Sequence, residues 1–559
     1  MDSRISQIVK QLFAVDVAVH LTRPNSEFGD YATNVALTLA SQLGMNPRVI
    51  AEKIADELHK TDNSVAAEVA GPGFINLRVS AKYLADALQS AWSDDYGSNN
   101  NGAGKTVVVE YPSPNMAKPY SVGHLRPGNQ GWAVKRLMEV TGWKVITDNH
   151  LGDYGAPFGI WVTGFLHFSS EETLAKDGVY ELGRVYIATK KALKDEQERG
   201  ETALADEVQA WLIKLEQGDE QAKDFSLRFN KISLEHIHRV MDRLKISTDY
   251  ELGEAFFAAR GKAAVQRLLD DGVAVKNDDN SIIVPLEEYG FEVPLLVQKS
   301  NGAALYATTD LATILYREEN WHPDRVIYCV GAEQQFYFTQ LFAMAKKLGI
   351  KTDLYHLWFG TIDQKNDDGT RAKMSSRKGV VLMEELLNQA EAKARQVVGE
   401  RTVSDDDIAK IALGAIKFSD FTSDRRTNIL FDWDSIFALT GFSGPYIQYA
   451  AVRVNKILHD ITAGDGDRAD YDYTAEKVVI AKLLDYPETV QLAARDLEPH
   501  KVATYLYELA RDLNRYYETT RIDESTSGAR RARIELLAKV SQVFTHGLGL
   551  LGIEVPSQM

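Results

Sequence analysis

The chain has 559 residues, 45% of them hydrophobic and 25% charged, with a formal net charge of −16. That is the balance of an ordinary globular protein, with room for about three to four domains of roughly 150 residues. No run approaches the ~18–20 apolar residues of a membrane span, the start Met1-Asp2-Ser3-Arg4 has no apolar signal core, and the single Cys329 excludes an internal disulfide or a cysteine-rich zinc site; a reducing cytoplasm is the expected compartment.

Residues 1–80 mix helical runs with a terminal strand over Gly73–Val79, and the polar, glycine-rich Ser98–Gly104 reads as a linker. The next block alternates strands and helices, as a parallel sheet requires. Its first strand is the β-rich Thr106–Glu110, followed by a polar loop and then a helical spacing at Leu125, Val134, Leu137 and Met138. Proline is tolerated in the first helical turn, so Pro127 predicts a helix that starts near His124. Val145–Asp148 and Asp324–Val330 are predicted as buried strands. Residues 180–245 read as long charged helices, with an acidic insertion at Asp195–Gly200. Ser281–Pro285 and Phe291–Val297 are predicted as paired strands of an inserted piece. From about residue 405 the pattern is almost wholly helical.

The stretch Ser113-Pro114-Asn115-Met116-Ala117-Lys118-Pro119-Tyr120-Ser121-Val122-Gly123-His124-Leu125-Arg126 is the most informative of the chain. A loop between strand and helix lies at the carboxyl edge of the sheet, where nucleotides bind, and a helix N-terminus offers N–H groups to phosphates. Gly123 lets a base or ribose approach the backbone, and Lys118 and His124 can each donate to a phosphate oxygen. Far along the chain comes Lys373-Met374-Ser375-Ser376-Arg377-Lys378-Gly379, with three cations and two hydroxyls in one short loop. Such a loop can neutralise a triphosphate as pyrophosphate leaves. The blander readings are a solvated helix cap and a basic surface turn.

Together the two stretches resemble the HIGH and KMSKS signatures of class I aminoacyl-tRNA synthetases, and their surroundings resemble the arginyl members. Gly29-Asp30-Tyr31-Ala32-Thr33-Asn34-Val35-Ala36-Leu37, Asn46-Pro47 and Gly71-Pro72-Gly73-Phe74-Ile75-Asn76-Leu77 look like the amino-terminal domain of that family. Asp148–Gly155, Tyr306-Ala307-Thr308-Thr309-Asp310-Leu311-Ala312, Val330-Gly331-Ala332-Glu333-Gln334, Gly444-Pro445-Tyr446-Ile447-Gln448-Tyr449-Ala450 and the ending Leu551–Met559 follow in family order. Two positions depart from the signatures: Ser121 stands where the family has its first HIGH histidine, and Ser376 where it has the second KMSKS lysine. Lys118 matches the lysine that is thought to compensate in arginyl enzymes of this kind.

The resemblance implies an α/β fold: a Rossmann-type parallel-sheet catalytic domain over 105–420 with helical and strand insertions, a small α+β amino-terminal tRNA-binding domain over 1–97, and an all-helical anticodon-binding domain over 421–559. It implies ATP-dependent activation of L-arginine to arginyl-adenylate and transfer to the terminal ribose of tRNA(Arg), by a monomer that contacts no membrane. Lys118, His124, Lys373 and Lys378 would meet the phosphates, and Ser121, Gly123, Met374 and Ser375 would bind ATP. Mg2+ would arrive with ATP, without a dedicated protein metal site. Asn115, Asn149, Glu254, Tyr306, Asp310 and Gln334 match positions that hold arginine, whose guanidinium is best met by carboxylates. In these residues the blander readings are a helix cap for Asp310, a core aromatic for Tyr306 and a surface charge for Glu254. Asp153 could hold ribose or structure, and His150 could orient its loop or be a buried, satisfied histidine.

For tRNA the candidates are Asn34, Tyr446, Gln448, Arg453 and Met559, with Phe28 beside Asn34. Tyr505, Tyr507, Tyr516 and Tyr517 are expected mostly in the core. The acidic total is no bar to RNA, because phosphates see local patches. Residues 441–559 carry 14 Lys/Arg against 17 Asp/Glu, net −3, so the other residues hold −13 of the −16. Two rivals stand beside this reading: an enzyme that adenylylates a small molecule without RNA, and a silent RNA-binding paralogue, which the replaced histidine at Ser121 would favour.

Overall fold

A four-stranded parallel sheet organises the larger part of the chain, in the order Asp353–His356, Arg325–Tyr328, Thr106–Glu110, Lys144–Asp148. The computed structural model describes residues 1–24, 27–61, 64–302, 305–365, 369–374, 381–463, 466, 471–523 and 526–559. Contacts group the chain into two units. One comprises 97–452, 488–507 and 544–559, and the other 1–96, 453–487 and 508–543. Residues expected as a single carboxyl-terminal stretch, 421–559, therefore contribute to both.

In the larger unit the strand Thr106–Glu110 is buried on both faces, as the centre of a parallel sheet must be. Val107 and Val109 face one core with Tyr111, Val134 and Met138, while Val108 faces the other with Phe257, Val265 and Val326. The helix Leu125–Val140 follows a short turn at Val122–His124 and takes Pro127 in its first turn, as predicted. It lies close on Tyr111: a Cβ at Gly131 would come within 2.4 Å of that ring. Two arginines are buried beneath this layer. Arg317, on the helix Tyr306–Asn320, is 2.7 Å from both Glu110 and Asp148 at the ends of adjacent strands. Arg126 pairs with Asp420 at 2.8 Å and donates to the carbonyls of Gly360 and Thr427. Such ions stand in low dielectric only because every one has a counter-charge.

The insertions follow the expected pattern with one difference, in the inserted strands. The long charged region forms the helices Val179–Glu198, Ala203–Glu216 and Glu220–Arg243. Within the acidic Asp195–Gly200, which closes the first of these helices, Glu196 is buried and accepts the N–H groups of Leu204 and Ala205, capping the next helix. The inserted strands Ile282–Val284 and Leu295–Gln298 pair antiparallel, but the second starts only after Pro294, which has no N–H for a ladder.

The smaller unit holds an antiparallel sheet in the order Tyr31–Thr33, Phe74–Val79, Val65–Ala70, packed on the helix Pro47–Thr61. The helix Lys477–Leu484 packs on Ala81–Ala91 in the same unit. Asp30, in the first motif of the chain, accepts Val79 N–H and Lys477 Nζ at 2.8 Å each.

Candidate active site

A cleft of about 310 Å³ opens at the carboxyl ends of Thr106–Glu110 and Arg325–Tyr328, where the sheet order reverses. Its lining brings together Asn115, Gly123, His124, Gln334, Lys373 and Met374, which are far apart in sequence. Ser375, Ser376, Arg377, Lys378 and Gly379 lie outside the described residues. Lys373 stands 4.0 Å from Glu333, within the same lining.

His124 is not the cation that the sequence suggested. Its Nδ1 accepts Ser121 N–H at 3.1 Å, so the neutral ring carries its proton on Nε2. Burial pushes its pKa down to about 4, with Lys118 adding to the fall. It is therefore a neutral donor at physiological pH. Lys118 also departs from expectation: its ammonium lies 4.8 Å over the ring of Tyr186, and burial with Lys190 nearby lowers its pKa. Ser121 is tied by its backbone to the segment after the second basic loop, bridging to Leu382. Asn149, expected at the amino end of arginine, is fully buried: its Oδ1 accepts Ser113 N–H and its Nδ2 donates to Glu251. It braces the loop from within.

A second constellation is acidic. Glu254 opens the helix Glu254–Asp270, and Asp310 sits one turn into Tyr306–Asn320, so both project from helix starts. Asp153 accepts Ala255 N–H at 2.8 Å. Burial first, then the charges of Asp310 and Asp153, raise the Glu254 pKa to about 8. Burial likewise raises Asp310 to about 6, against the opposing influence of His150 and a hydrogen bond from the Tyr337 hydroxyl. Tyr306 is 69% exposed at the rim, and its phenol senses both Glu254 and Asp310. The charges of Asp310 and Asp153 both bear on Glu254, and a guanidinium fork would answer this group of carboxylates. Tyr337 was missed by the sequence reading, since an aromatic in a helix start looks like core.

The tRNA-facing candidates separate. Asn34 is exposed, as is Phe28. The Arg453 guanidinium lies 4.6 Å from the Tyr517 ring centroid, and Tyr446 packs on Tyr507. Gln448 is a correction: it is fully buried, and its amide donates to the carbonyls of Lys410 and Glu554. Met559 is another, packed in the core while its carbonyl accepts from Arg401. Neither side chain presents a surface to RNA. Tyr505 and Tyr516 are core residues, as expected. Among the described residues, Asp424, Glu498 and His500 are close enough to share a metal ion, but Arg426 already pairs with both carboxylates.

The family model described as "tRNA synthetases class I (R), catalytic domain" matches residues 87–433, so fold and cleft are those of the class I tRNA synthetases. An "Arginyl tRNA synthetase N terminal domain" matches 1–79 and a "DALR anticodon binding domain" matches 447–559. The arginine–tRNA ligase of Fusobacterium nucleatum is 33% identical over 98% of this chain and 96% of its own. Arginine–tRNA ligase 1 of Bacillus cereus is 34% identical over 96% and 95%. The chain belongs to the arginyl-tRNA synthetase family. The Thermus thermophilus arginyl-tRNA synthetase shares the fold with a TM-score of 0.82 at 23% identity, covering 100% of this chain and 99% of its own. The Plasmodium falciparum enzyme does so with 0.79 at 22%, covering 100% and 98%.

Proposed function

We propose that the chain activates L-arginine with ATP and transfers the arginyl group to the terminal ribose of tRNA(Arg), releasing AMP and pyrophosphate. The observation that carries this reading is the grouping of the carboxylates of Glu254, Asp310 and Asp153, with the charges of the latter two both bearing on Glu254 and Asp153 bound to Ala255 N–H. In the first step the arginine carboxylate attacks the α-phosphorus and pyrophosphate leaves. In the second a ribose hydroxyl attacks the arginyl carbonyl and AMP leaves. No covalent enzyme intermediate is needed; the protein positions the reactants and stabilises phosphate charge.

His124 serves as a neutral Nε2–H donor and Gly123 as the backbone against which the nucleotide lies. Lys373 and Lys378 supply charge to the phosphates. Glu254 and Asp310 take the guanidinium, Tyr306 closes over it from the rim, and Asn115 and Gln334 face the amino acid from the cleft side. Among the described residues of the lining Glu333 is the one carboxylate, and a lone carboxylate suits a magnesium ion that arrives on the nucleotide. That ion neutralises phosphate charge when bound. The amino-terminal region 1–97, with Asn34, and the helical region 421–559, with Tyr446 and Arg453, take the tRNA, and the enzyme works as a cytoplasmic monomer.

Pyrophosphate exchange with each amino acid, with and without tRNA, tests the reading. Exchange is expected with arginine alone and only when tRNA is present. Exchange with another amino acid, or none with any, overturns it.

A further inference from the structure

The loop between Pro114 and Val122 is irregular and, apart from the exposed Asn115, half-buried to buried, with Met116, Ala117 and Tyr120 buried, so its backbone N–H groups need partners from elsewhere. Some are local or from neighbouring backbone: Met116 donates to Gly152 O, Ser121 to His124 Nδ1 and Val122 to Val381 O. Two are not. Ala117 N–H goes to Ser233 Oγ at 2.8 Å, and Tyr120 N–H goes to His236 Nε2 at 3.0 Å. Ser233 and His236 lie three apart on one face of the helix Glu220–Arg243, more than 100 residues further along the chain, and both are buried.

We propose that Ser233 and His236 are positioning residues for nucleotide binding, holding residues 117–121 in shape by accepting two loop N–H groups that have no backbone partner. The proposal rests on the reading that the cleft takes ATP. Ser233 is itself fixed, since its hydroxyl donates to Phe229 O at 2.7 Å and so turns a lone pair to Ala117. His236 is fixed from its other side. Its Nδ1 edge faces Arg239 Nη2 at 3.1 Å and Glu384 Oε2 at 3.7 Å. Arg239 pairs with Glu384 at 2.9 Å, and the Tyr180 hydroxyl also donates to Glu384. Burial lowers the His236 pKa, which keeps the Nε2 lone pair available. Glu384 belongs to the helix Met383–Val398, whose first N–H donates to Tyr120 O at 2.9 Å. The loop is thus held on both sides of Tyr120: its N–H by one helix, its carbonyl by another. Ser121, Gly123 and His124 follow at once, so their placement at the cleft depends on this grip.

The test uses the full chain as wild type, His236→Leu, His236→Gln and Ser233→Ala, with steady-state pyrophosphate exchange and hydrogen exchange at the 117–121 amides. Glutamine keeps an acceptor near the position of Nε2, whereas leucine has none. Leaving a buried donor unpaired predicts an ATP KM raised about 10- to 100-fold in His236→Leu, with the arginine KM within about twofold of wild type. Amide exchange at Tyr120 should quicken in that variant, and at Ala117 in Ser233→Ala, while His236→Gln restores both readouts. Equal rises in the two KM values, an unchanged ATP KM, or a glutamine variant as weak as leucine would overturn the proposal. If His236→Leu does not fold, the milder Ser233→Ala carries the same comparison. A wild type without arginine-dependent exchange would sink the functional reading instead. The amide exchange then decides the proposal alone, with unaltered rates in the variants counting against it.

Discussion

On the proposed reading, substrate choice turns on Asp310 and Glu254. Asp310 is held by the Tyr337 hydroxyl and enclosed by its helix, so Asp310→Ala would leave a guanidinium facing a cavity with one carboxylate fewer. Removing one partner of such a pair costs about 2–5 kcal/mol, so the arginine KM should rise at least about 30-fold while the ATP KM changes little. Equal effects on both substrates would make Asp310 a structural residue. Glu254 gives a sharper signature. Its pKa in the free protein is raised to about 8, so at pH 7 it is mostly protonated, and binding a guanidinium must expel that proton. The ionised form is the one that binds. Arginine affinity therefore rises as pH goes from 6 to 8 and levels above 8, by up to about tenfold per unit for one proton. The guanidinium stays charged throughout, so it does not contribute to the slope. Calorimetry in buffers of different ionisation enthalpy should show proton release near pH 7, and Glu254→Gln should abolish much of it. A flat pH profile in the wild type would mean that arginine sits elsewhere.

At the scale of elements, most of the architecture was legible in the chain and most of the side-chain directions were not. The strand Thr106–Glu110, the helix start delayed by Pro127, and the ordered motifs follow from local pattern: apolar runs, proline chemistry, spacing. What a pattern does not carry is which atom a polar side chain reaches. His124 looks like a cation until burial and the Ser121 N–H make it neutral. Lys118 looks like a phosphate ligand, yet it lies on the ring of Tyr186. Gln448 reads as an RNA contact because it stands in the family's signature, but two carbonyls from distant segments take its amide. Lys417, inside the helix Asp405–Ser419, shows the same gap and makes a prediction about stability. It is fully buried, its ammonium has no hydrogen-bond partner among the described residues, and burial lowers its pKa to about 7 from an ordinary 10.5, with Glu554 opposing. The unfolded chain then holds a proton that the folded chain gives up between pH 7 and 10.5. Stability should rise with pH across that window and carry the full penalty below 7. Lys417→Met removes the penalty and should stabilise the fold at pH 7 by about 1–4 kcal/mol, with a flatter dependence of Tm on pH. A less stable methionine variant would show that the ammonium has a partner worth keeping.

For the whole molecule the question is how a chain of net charge −16 can take a polyanion. The surface of the carboxyl-terminal helices shows which cations are available. Arg533 is committed internally: it pairs with Glu476, a carboxylate with no exposure, and donates to Tyr471. Arg531 is different. Its partner Glu535 is a half-buried i, i+4 neighbour at 3.1 Å, and helix-surface pairs of this kind are worth about 0–1 kcal/mol, little enough for a phosphate to displace. The expectation is therefore local phosphate contacts on an acidic whole. Each contact releases counterions, so the affinity for tRNA(Arg) should fall at least about tenfold between 50 and 200 mM salt. Arg531→Gln should weaken binding and reduce the salt slope by about 1 if it meets a phosphate. Arg533→Gln should instead lower Tm, because it strands Glu476 in the interior, where losing one partner of a buried pair costs about 3–5 kcal/mol. Filter binding across a salt series, beside thermal melts of both variants, separates the two roles. A salt-independent affinity would place recognition outside phosphate contacts. An Arg533→Gln variant with wild-type Tm and a reduced salt slope would make Arg533 the phosphate contact and leave Arg531 a surface ion pair.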